Sequence, residues 1–271
     1  MILQGSPAMN PIRVAIHGAA GRMGQRLVAL ATSDPALRLA AALDAPGHPR
    51  IGDDAGVVAG IGPLGLPLAA ALETPVDVVV DFSVPSATEK ILGVCQERGI
   101  PLVVATTGLS EPQKARLHAA AQGVPLLWAP NMSLAVNLTM KLAEITARAL
   151  ADQDADVEIL ERHHRFKEDA PSGTALKFGQ LIAGQMGQTV HRHGREGRPG
   201  VRLRGEIGYH AIRVGDNPGE HTIVFAMLGE TIELIVRASS RDCYAIGALR
   251  AAKFLVGKPP GLYSLNDVLG L

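Results

Sequence analysis

The feature that most constrains this chain is a glycine-spaced turn set between a strand and a helix. Ile12-Arg13-Val14-Ala15-Ile16 reads as a short β-strand and runs into His17-Gly18-Ala19-Ala20-Gly21-Arg22-Met23-Gly24. A helix-period segment follows to Ser33 and stops at Asp34-Pro35. Gly18, Gly21 and Gly24 have G-x-x-G-x-x-G spacing, a variant of the dinucleotide fingerprint. The turn needs a residue tolerant of unusual φ/ψ, and a pyrophosphate needs bare backbone N–H groups at a helix N-terminus. Leu37 to Leu43 reads as the second strand, and Asp44 ends it 26 residues after Gly18, where a carboxylate meets ribose hydroxyls. Asp44-Ala45-Pro46-Gly47 would also suit a plain turn. Position and partner together favour a nicotinamide dinucleotide. A 2′-phosphate wants an Arg beside the acidic residue, where this chain has Ala45; Arg22 and Arg50 are the available substitutes. Asp44 would repel that phosphate, so NADH is slightly favoured over NADPH.

The β-α rhythm continues. Val76 to Asp81 is a near-continuous β-branched run, as in a parallel strand buried on both faces. Ser86 to Arg98 reads as helix, Ile100 to Ala105 as strand, Glu111 to Gln122 as helix and Val124 to Trp128 as strand. Asp44 to Pro63 is the least regular stretch. This half is expected to form a Rossmann-like, doubly wound parallel sheet. After Pro130 the order changes. A helix near Leu134–Ala151 leads to a strand at Asp156–Glu161, then a helix near Thr174–Met186. Strand-like runs at Val201–Arg213, His221–Met227 and Thr231–Ala238 follow without intervening helices, which implies a second, α+β domain with a mixed or antiparallel sheet. Arg241 to Val256 is helical again, and a terminal helix ends the chain. The expected division is therefore a dinucleotide domain, 1–130, with 241–271 packing back on it, and a substrate-binding and oligomerisation domain, 131–240.

Composition removes other classes. Lys and Arg number 26 and so do Asp and Glu, and aromatics are 3%, so the chain lacks both the excess cations and the stacking platforms of a nucleic-acid binder. Apolar residues reach 47% against 19% charged, which excludes disorder. No apolar window is long enough to span a membrane, and Met1 to Pro11 lack a signal-peptide pattern. The eight residues before Met9 read as a loose extension. Cys95 and Cys243 have no metal-ligand spacing and read as reduced cytoplasmic thiols.

The second informative stretch is Glu161-Arg162-His163-His164-Arg165-Phe166-Lys167-Glu168-Asp169-Ala170-Pro171-Ser172-Gly173-Thr174-Ala175. Basic and imidazole side chains crowd together, and Ser172 or Thr174 then caps a helix whose N–H groups form an anion site. This suits a small substrate bearing carboxylates. A surface charge run and a phosphate patch compete with that reading. Zinc ligation is disfavoured, because adjacent histidines on a strand point to opposite faces and no third ligand is suitably spaced. His163 or Lys167 would serve as proton donor in a hydride reduction.

That run resembles the signature of the dihydrodipicolinate reductase family. The resemblance extends through Gly18 to Gly24, Ala105-Thr106-Thr107-Gly108, Ala129-Pro130-Asn131-Met132-Ser133, Gly219-Glu220-His221-Thr222 and Ala238-Ser239-Ser240-Arg241. It implies an NAD(P)H-dependent enzyme that reduces 4-hydroxy-tetrahydrodipicolinate in lysine and diaminopimelate biosynthesis. His163 would be catalytic and Lys167 the proton donor, with His164, Ser172, Gly173 and Thr174 on the substrate's carboxylates. Gly18, Ala19, Ala20, Gly21, Arg22, Met23 and Asp44 would hold the pyrophosphate and adenosine ribose. Ala105, Thr106, Thr107, Ala129, Pro130, Asn131 and Met132 would line the nicotinamide side. The resemblance also implies a cytoplasmic homotetramer and closure about hinges near Ala129–Ser133 and Ser239–Arg241. Ala105 and Val84 depart from the family's Gly and Arg, and His17 stands where a small residue is usual and reads as packing. The alternatives are an aspartate-dehydrogenase-like oxidoreductase and a non-catalytic NAD-sensing protein.

Overall fold

The computed structural model describes residues 10–271, so the extension before Met9 lies outside the described residues. Described residues up to Ser133, together with Asp242–Leu271, form one compact unit, and Leu134–Arg241 form a second.

The first unit begins with β1 (Ile12–His17), α1 (Arg22–Ser33), β2 (Leu37–Leu43), the short α2 (Ala55–Val58) and β3 (Leu68–Ala69). It continues with β4 (Val78–Asp81), α3 (Pro85–Arg98), β5 (Leu102–Val104), α4 (Glu111–Ala120) and β6 (Pro125–Trp128). The second unit holds α5 (Leu134–Ala149), β7 (Asp156–His163), α6 (Gly173–Met186), β8 (Val190–His193), β9 (Glu206–Arg213), β10 (Gly219–Met227) and β11 (Glu230–Ala238). The chain then returns with α7 (Asp242–Leu255), β12 (Gly261–Tyr263) and α8 (Leu265–Leu269).

The first sheet runs β12-β6-β5-β4-β1-β2-β3, with every pair parallel. The order reverses between β1 and β4, and their carboxyl ends open the crevice where such sheets take ligands. All of β4 is buried, as its β-branched run implies. Ala15, Val79, Leu102, Val104 and Leu126 form a core with Ile91, Leu92 and the free thiol Cys95 of α3 and Leu117 of α4. Small residues shape α7, whose buried Ala245, Gly247, Ala248, Ala251 and Ala252 let it pack against α1 and β4.

The glycine turn is built by close approach. Gly18 has φ +80°, and a Cβ there would lie 2.4 Å from the Phe82 carbonyl oxygen. Inside α1, a Cβ on Gly24 would come within 2.0 Å of the Gly18 carbonyl oxygen and 2.6 Å of the Ala19 Cα.

The second sheet, β11-β10-β7-β9-β8, is mixed. The β10–β11 and β10–β7 pairs are antiparallel, and β7–β9 and β8–β9 are parallel. Its inner face carries Val157, Ile159, Ile207, Tyr209, Ile223 and Phe225 against Val136, Ala143 and Ala147 of α5 and Ala175, Phe178 and Ile182 of α6.

The elements that differ from expectation are short or polar. α2 is organised by Asp54, whose side chain accepts from the backbone of Gly56, Val57, Leu64, Gly65 and Leu66, so a single residue rather than a periodicity defines it. β8 (Val-His-Arg-His) is an edge strand without apolar alternation. β9 starts at Glu206 rather than Val201, because Arg202 pulls the preceding loop onto the sheet through Glu158, Asp156 and the Val157 and Glu206 carbonyls. Glu158 also accepts from Arg195 and pairs with His210. Burial opposes its charge, but the hydrogen bonds from Arg195, His210 and Arg202 outweigh that and lower its pKa from 4.5 to about 2.

Two outcomes follow. Gly24→Ala forces backbone apart and is expected to cost about 1–3 kcal/mol, read as a drop of several degrees in Tm with weakened dinucleotide binding. Because the folded-state pKa of Glu158 is depressed, the stability it contributes is complete above pH 4.5 and disappears as pH falls toward about 2. Glu158→Gln should therefore start with a lower Tm at neutral pH and show a shallower loss of Tm through that window. Parallel curves for the two proteins would refute the assignment.

Candidate functional site

At the carboxyl end of the first sheet lies a cavity of about 440 Å³ lined by Gly21, Arg22, Met23, Phe82, Ser83, Ala105, Thr106, Thr107, Pro130, Met132 and Tyr244. Helix α1 opens on this cavity with Gly21 as N-cap and no side-chain cap. The contrast with α4, α6 and α8, each capped by a serine, is informative. At α1 the first-turn N–H groups are left for an anion, which fits the pyrophosphate of a dinucleotide. Asp44 accepts from the Ala20 N–H at 2.8 Å and so stands beside the turn, at the end of β2. Gly18, Ala19 and Ala129 are buried beneath the lining, and the Asn131 side chain accepts from the Ser133 N–H. The structure thus brings Gly21, Arg22, Met23, Ala105, Thr106, Thr107, Pro130 and Met132 to one cavity, with Gly18, Ala19, Ala20 and Asp44 supporting its floor and edge.

Under the cavity sits Asp81, at the end of β4 and fully buried. It accepts from Ser83 Oγ (2.6 Å), Thr88 Oγ1 (2.6 Å) and Thr106 Oγ1 (2.9 Å) and pairs with His17 Nδ1 (2.7 Å). Burial works against the charge, but His17 and the hydroxyls hold its pKa below the carboxylate range. His17 is therefore a partner rather than mere packing: it ties β1 to the same carboxylate that orders the loops after β4 and β5.

In the second unit the period of the strand carries chemistry out of the core. Val157, Ile159, Glu161 and His163 alternate onto the inner face of β7, and Phe225, Ile223 and His221 do the same on β10. At that end α6 begins, with Ser172 as N-cap accepting from the Ala175 N–H. His163 Nδ1 lies 2.5 Å from Glu161 Oε2. Arg213 donates to both oxygens of Glu161 at 2.8 and 2.7 Å, and the Ser172 N–H reaches Oε1 at 3.0 Å. Burial opposes the charge of Glu161, yet His163 and Arg213 lower its pKa from 4.5 to about 2. His221 is 5.2 Å from His163, ring to ring, and burial followed by the charge of His163 brings its pKa down to about 4. Lys167 Nζ pairs with Asp169 at 2.7 Å.

His164 lies apart from this inner face, among positive charge. Burial, then Arg241, His163, Lys167 and Arg213, lower its pKa. Its Nδ1 is buried with no partner among the described residues, and an incoming ligand would satisfy that atom. His163 thus adjoins the Ser172 start of α6 through Glu161, and His164 lies in the positive field of Arg241, His163, Lys167 and Arg213. Among the described residues no group of three or more His, Cys, Asp or Glu side chains is arranged to hold a metal. Glu161, Arg213, His221, Asp81 and Tyr244 carry no role in the sequence reading. The alternation of β7 was the available signal for Glu161, while Arg213 and Tyr244 are brought in from distant elements.

The chain matches the family model described as dihydrodipicolinate reductase, N-terminus, over residues 12–132, and that described as dihydrodipicolinate reductase, C-terminus, over residues 135–269. It is 59% identical to 4-hydroxy-tetrahydrodipicolinate reductase of Rhodopirellula baltica, over 97% of both chains. It is 51% identical to the Alkalilimnicola ehrlichii protein of the same name, covering 96% of this chain and 99% of that one. Among solved structures, a dipicolinate-bound dihydrodipicolinate reductase from Paenisporosarcina sp. TG-14 superposes with a TM-score of 0.76 at 26% identity, covering 94% of this chain and 98% of that one. With family models matching both parts of the chain and the relatives aligned nearly end to end, the chain belongs to the dihydrodipicolinate reductase family.

Proposed function

We propose that this protein reduces 4-hydroxy-tetrahydrodipicolinate to tetrahydrodipicolinate in lysine and diaminopimelate biosynthesis. One proton is consumed, and oxidised dinucleotide and water are released. The observation that supports this reading is the buried His164 Nδ1, without a partner among the described residues, in the positive field of Arg241, His163, Lys167 and Arg213. A bound nicotinamide dinucleotide supplies the hydride.

The chain's own residues bind charge and move protons. The Ser172–Thr174 start of α6 and His164 meet the substrate's carboxylates, where backbone dipoles and imidazole favour negative charge. Two groups exchange protons: His163 at Nε2 and Lys167 at Nζ. Lys167, the more exposed of the two at 21% of its side chain, is assigned the proton that follows the hydride. Reaction requires the cofactor-binding and substrate-binding surfaces to meet, so closure about the chain segments near Ala129–Ser133 and Ser239–Arg241 belongs to the proposal.

Features around the turn support comparable use of NADH and NADPH with a lean to NADH. Asp44 sits where a 2′-phosphate would come, its neighbour is Ala45, and Val84 after β4 is exposed and neutral. Arg50 is engaged by Asp53, which leaves Arg22 on the cavity wall. We assign the protein to the cytoplasm, as the family resemblance implies; no helix among the described residues is long and apolar enough to cross a membrane. The face of the second sheet opposite α5 and α6 shows Ile212 (47% exposed) and Ile235 (45% exposed), and α5 shows Leu138, Leu142 and Ile145 at helical spacing. These apolar surfaces support a homotetramer assembled through the second unit.

The test uses the aldol product of pyruvate and aspartate semialdehyde with each dinucleotide. Wild type should turn over, with kcat/KM for NADH equal to that for NADPH or up to about tenfold higher. A preference for NADPH of about a hundredfold would mean that a cation elsewhere meets the phosphate. Lys167→Ala should lose about 10²–10⁴ in kcat. Full kcat in that variant removes Lys167 as proton donor, and no turnover by wild type rejects the reaction.

A further inference from the structure

His163 has two ring nitrogens, and its surroundings treat them differently. Nδ1 faces Glu161 Oε2 at 2.5 Å. That carboxylate is ionised at any working pH and can only accept, so Nδ1 carries a proton. Nε2 faces Gly219, where a Cβ would come within 2.9 Å, so the absence of a side chain there leaves that nitrogen room. Glu161 is itself fully engaged. Four donors converge on it: His163 Nδ1, two N–H groups of Arg213 and the backbone N–H of Ser172. Arg213 is anchored in turn by the carbonyls of Asp169 and Ile212. Ser172 Oγ accepts from the Ala175 N–H and lies 3.1 Å from Nε2 of His221, whose ring burial keeps neutral.

We propose that Glu161, braced by Arg213, is a positioning residue that fixes the His163 tautomer and aligns that ring with the first turn of α6. One carboxylate then orients both the proton-exchanging Nε2 and the helix start that receives the substrate. Arg213 does more than hold Glu161 in place. It cancels a negative charge that would otherwise repel a substrate carrying two carboxylates. The inference rests on the reductase reading for its kinetic part, whereas the tautomer stands on geometry alone.

The experiment combines ¹⁵N NMR of histidine-labelled protein with kinetics of Glu161→Gln. In wild type, at a pH where the ring is neutral, His163 should carry its proton on Nδ1 and leave Nε2 bare. In E161Q the amide oxygen can still accept from Ser172, and the amide NH₂ then faces Nδ1 and drives the proton to Nε2. We expect that switch, together with a fall in kcat of at least about thirtyfold. Substrate KM and NADH affinity should stay within about threefold of wild type, because Ser172 keeps its acceptor and the cofactor cavity is untouched. A merely structural Glu161 would leave the tautomer unmoved. A proton on Nε2 in wild type, an E161Q enzyme with kcat within about threefold of wild type, or a loss confined to KM overturns the proposal. If E161Q does not fold, the wild-type tautomer decides. If wild type turns over no substrate, the reductase reading fails and the tautomer still decides the clamp.

Discussion

An ionised carboxylate shut away from water costs several kcal/mol unless donors meet its oxygens, and each unit of this protein is organised around one such group. Asp81 collects a histidine and three hydroxyls from four separate segments, and Glu161 collects a histidine, a guanidinium and a backbone N–H. Both sit at the end of a buried strand, where the apolar core gives way to loops. The demand for donors draws those loops to one point. The ligand-binding geometry is thus a by-product of satisfying a buried charge, which explains why segments with little regular structure of their own hold defined positions.

Parts of this were legible without coordinates and parts were not. The glycine spacing at 18–24 and the run from Glu161 to Ala175 are local patterns whose physics is contained in a few consecutive residues, so the parallel sheet and the helix start at Ser172 could be read directly. The mixed second sheet was inferable from strands that follow one another without helices. β8, β12 and the start of β9 were not, because strand formation there depends on a neighbouring edge or on an arginine anchored from far along the chain. His17 shows the same limit. Its sequence neighbours suggested packing, whereas its partner, Asp81, is 64 positions away and on the adjacent strand.

The balance of 26 cations and 26 anions also acquires a geography. Around β7 and β9, arginines neutralise carboxylates in a shared network: Arg195 meets Glu158 and Glu206, Arg202 meets Glu158, and Arg213 meets Glu161. Near His164 a positive field remains, to which Arg241, Lys167 and Arg213 contribute although Lys167 is itself paired with Asp169. Near Asp44 the sign is reversed, and Asp53 occupies Arg50. A chain neutral as a whole therefore presents different local fields around His164 and around Asp44.

The placement of β12 beside β6 has a consequence for how the chain is made. β6 is synthesised before the entire second unit, yet its outer edge is paired only by a strand that emerges after that unit is complete. Until then the growing chain exposes an unpaired, apolar sheet edge, the kind of surface on which nascent proteins misassociate. The first unit is thus completed only after the whole of the second has been synthesised, and the order in which ribosomes deliver the chain makes the second unit the first that can fold to completion.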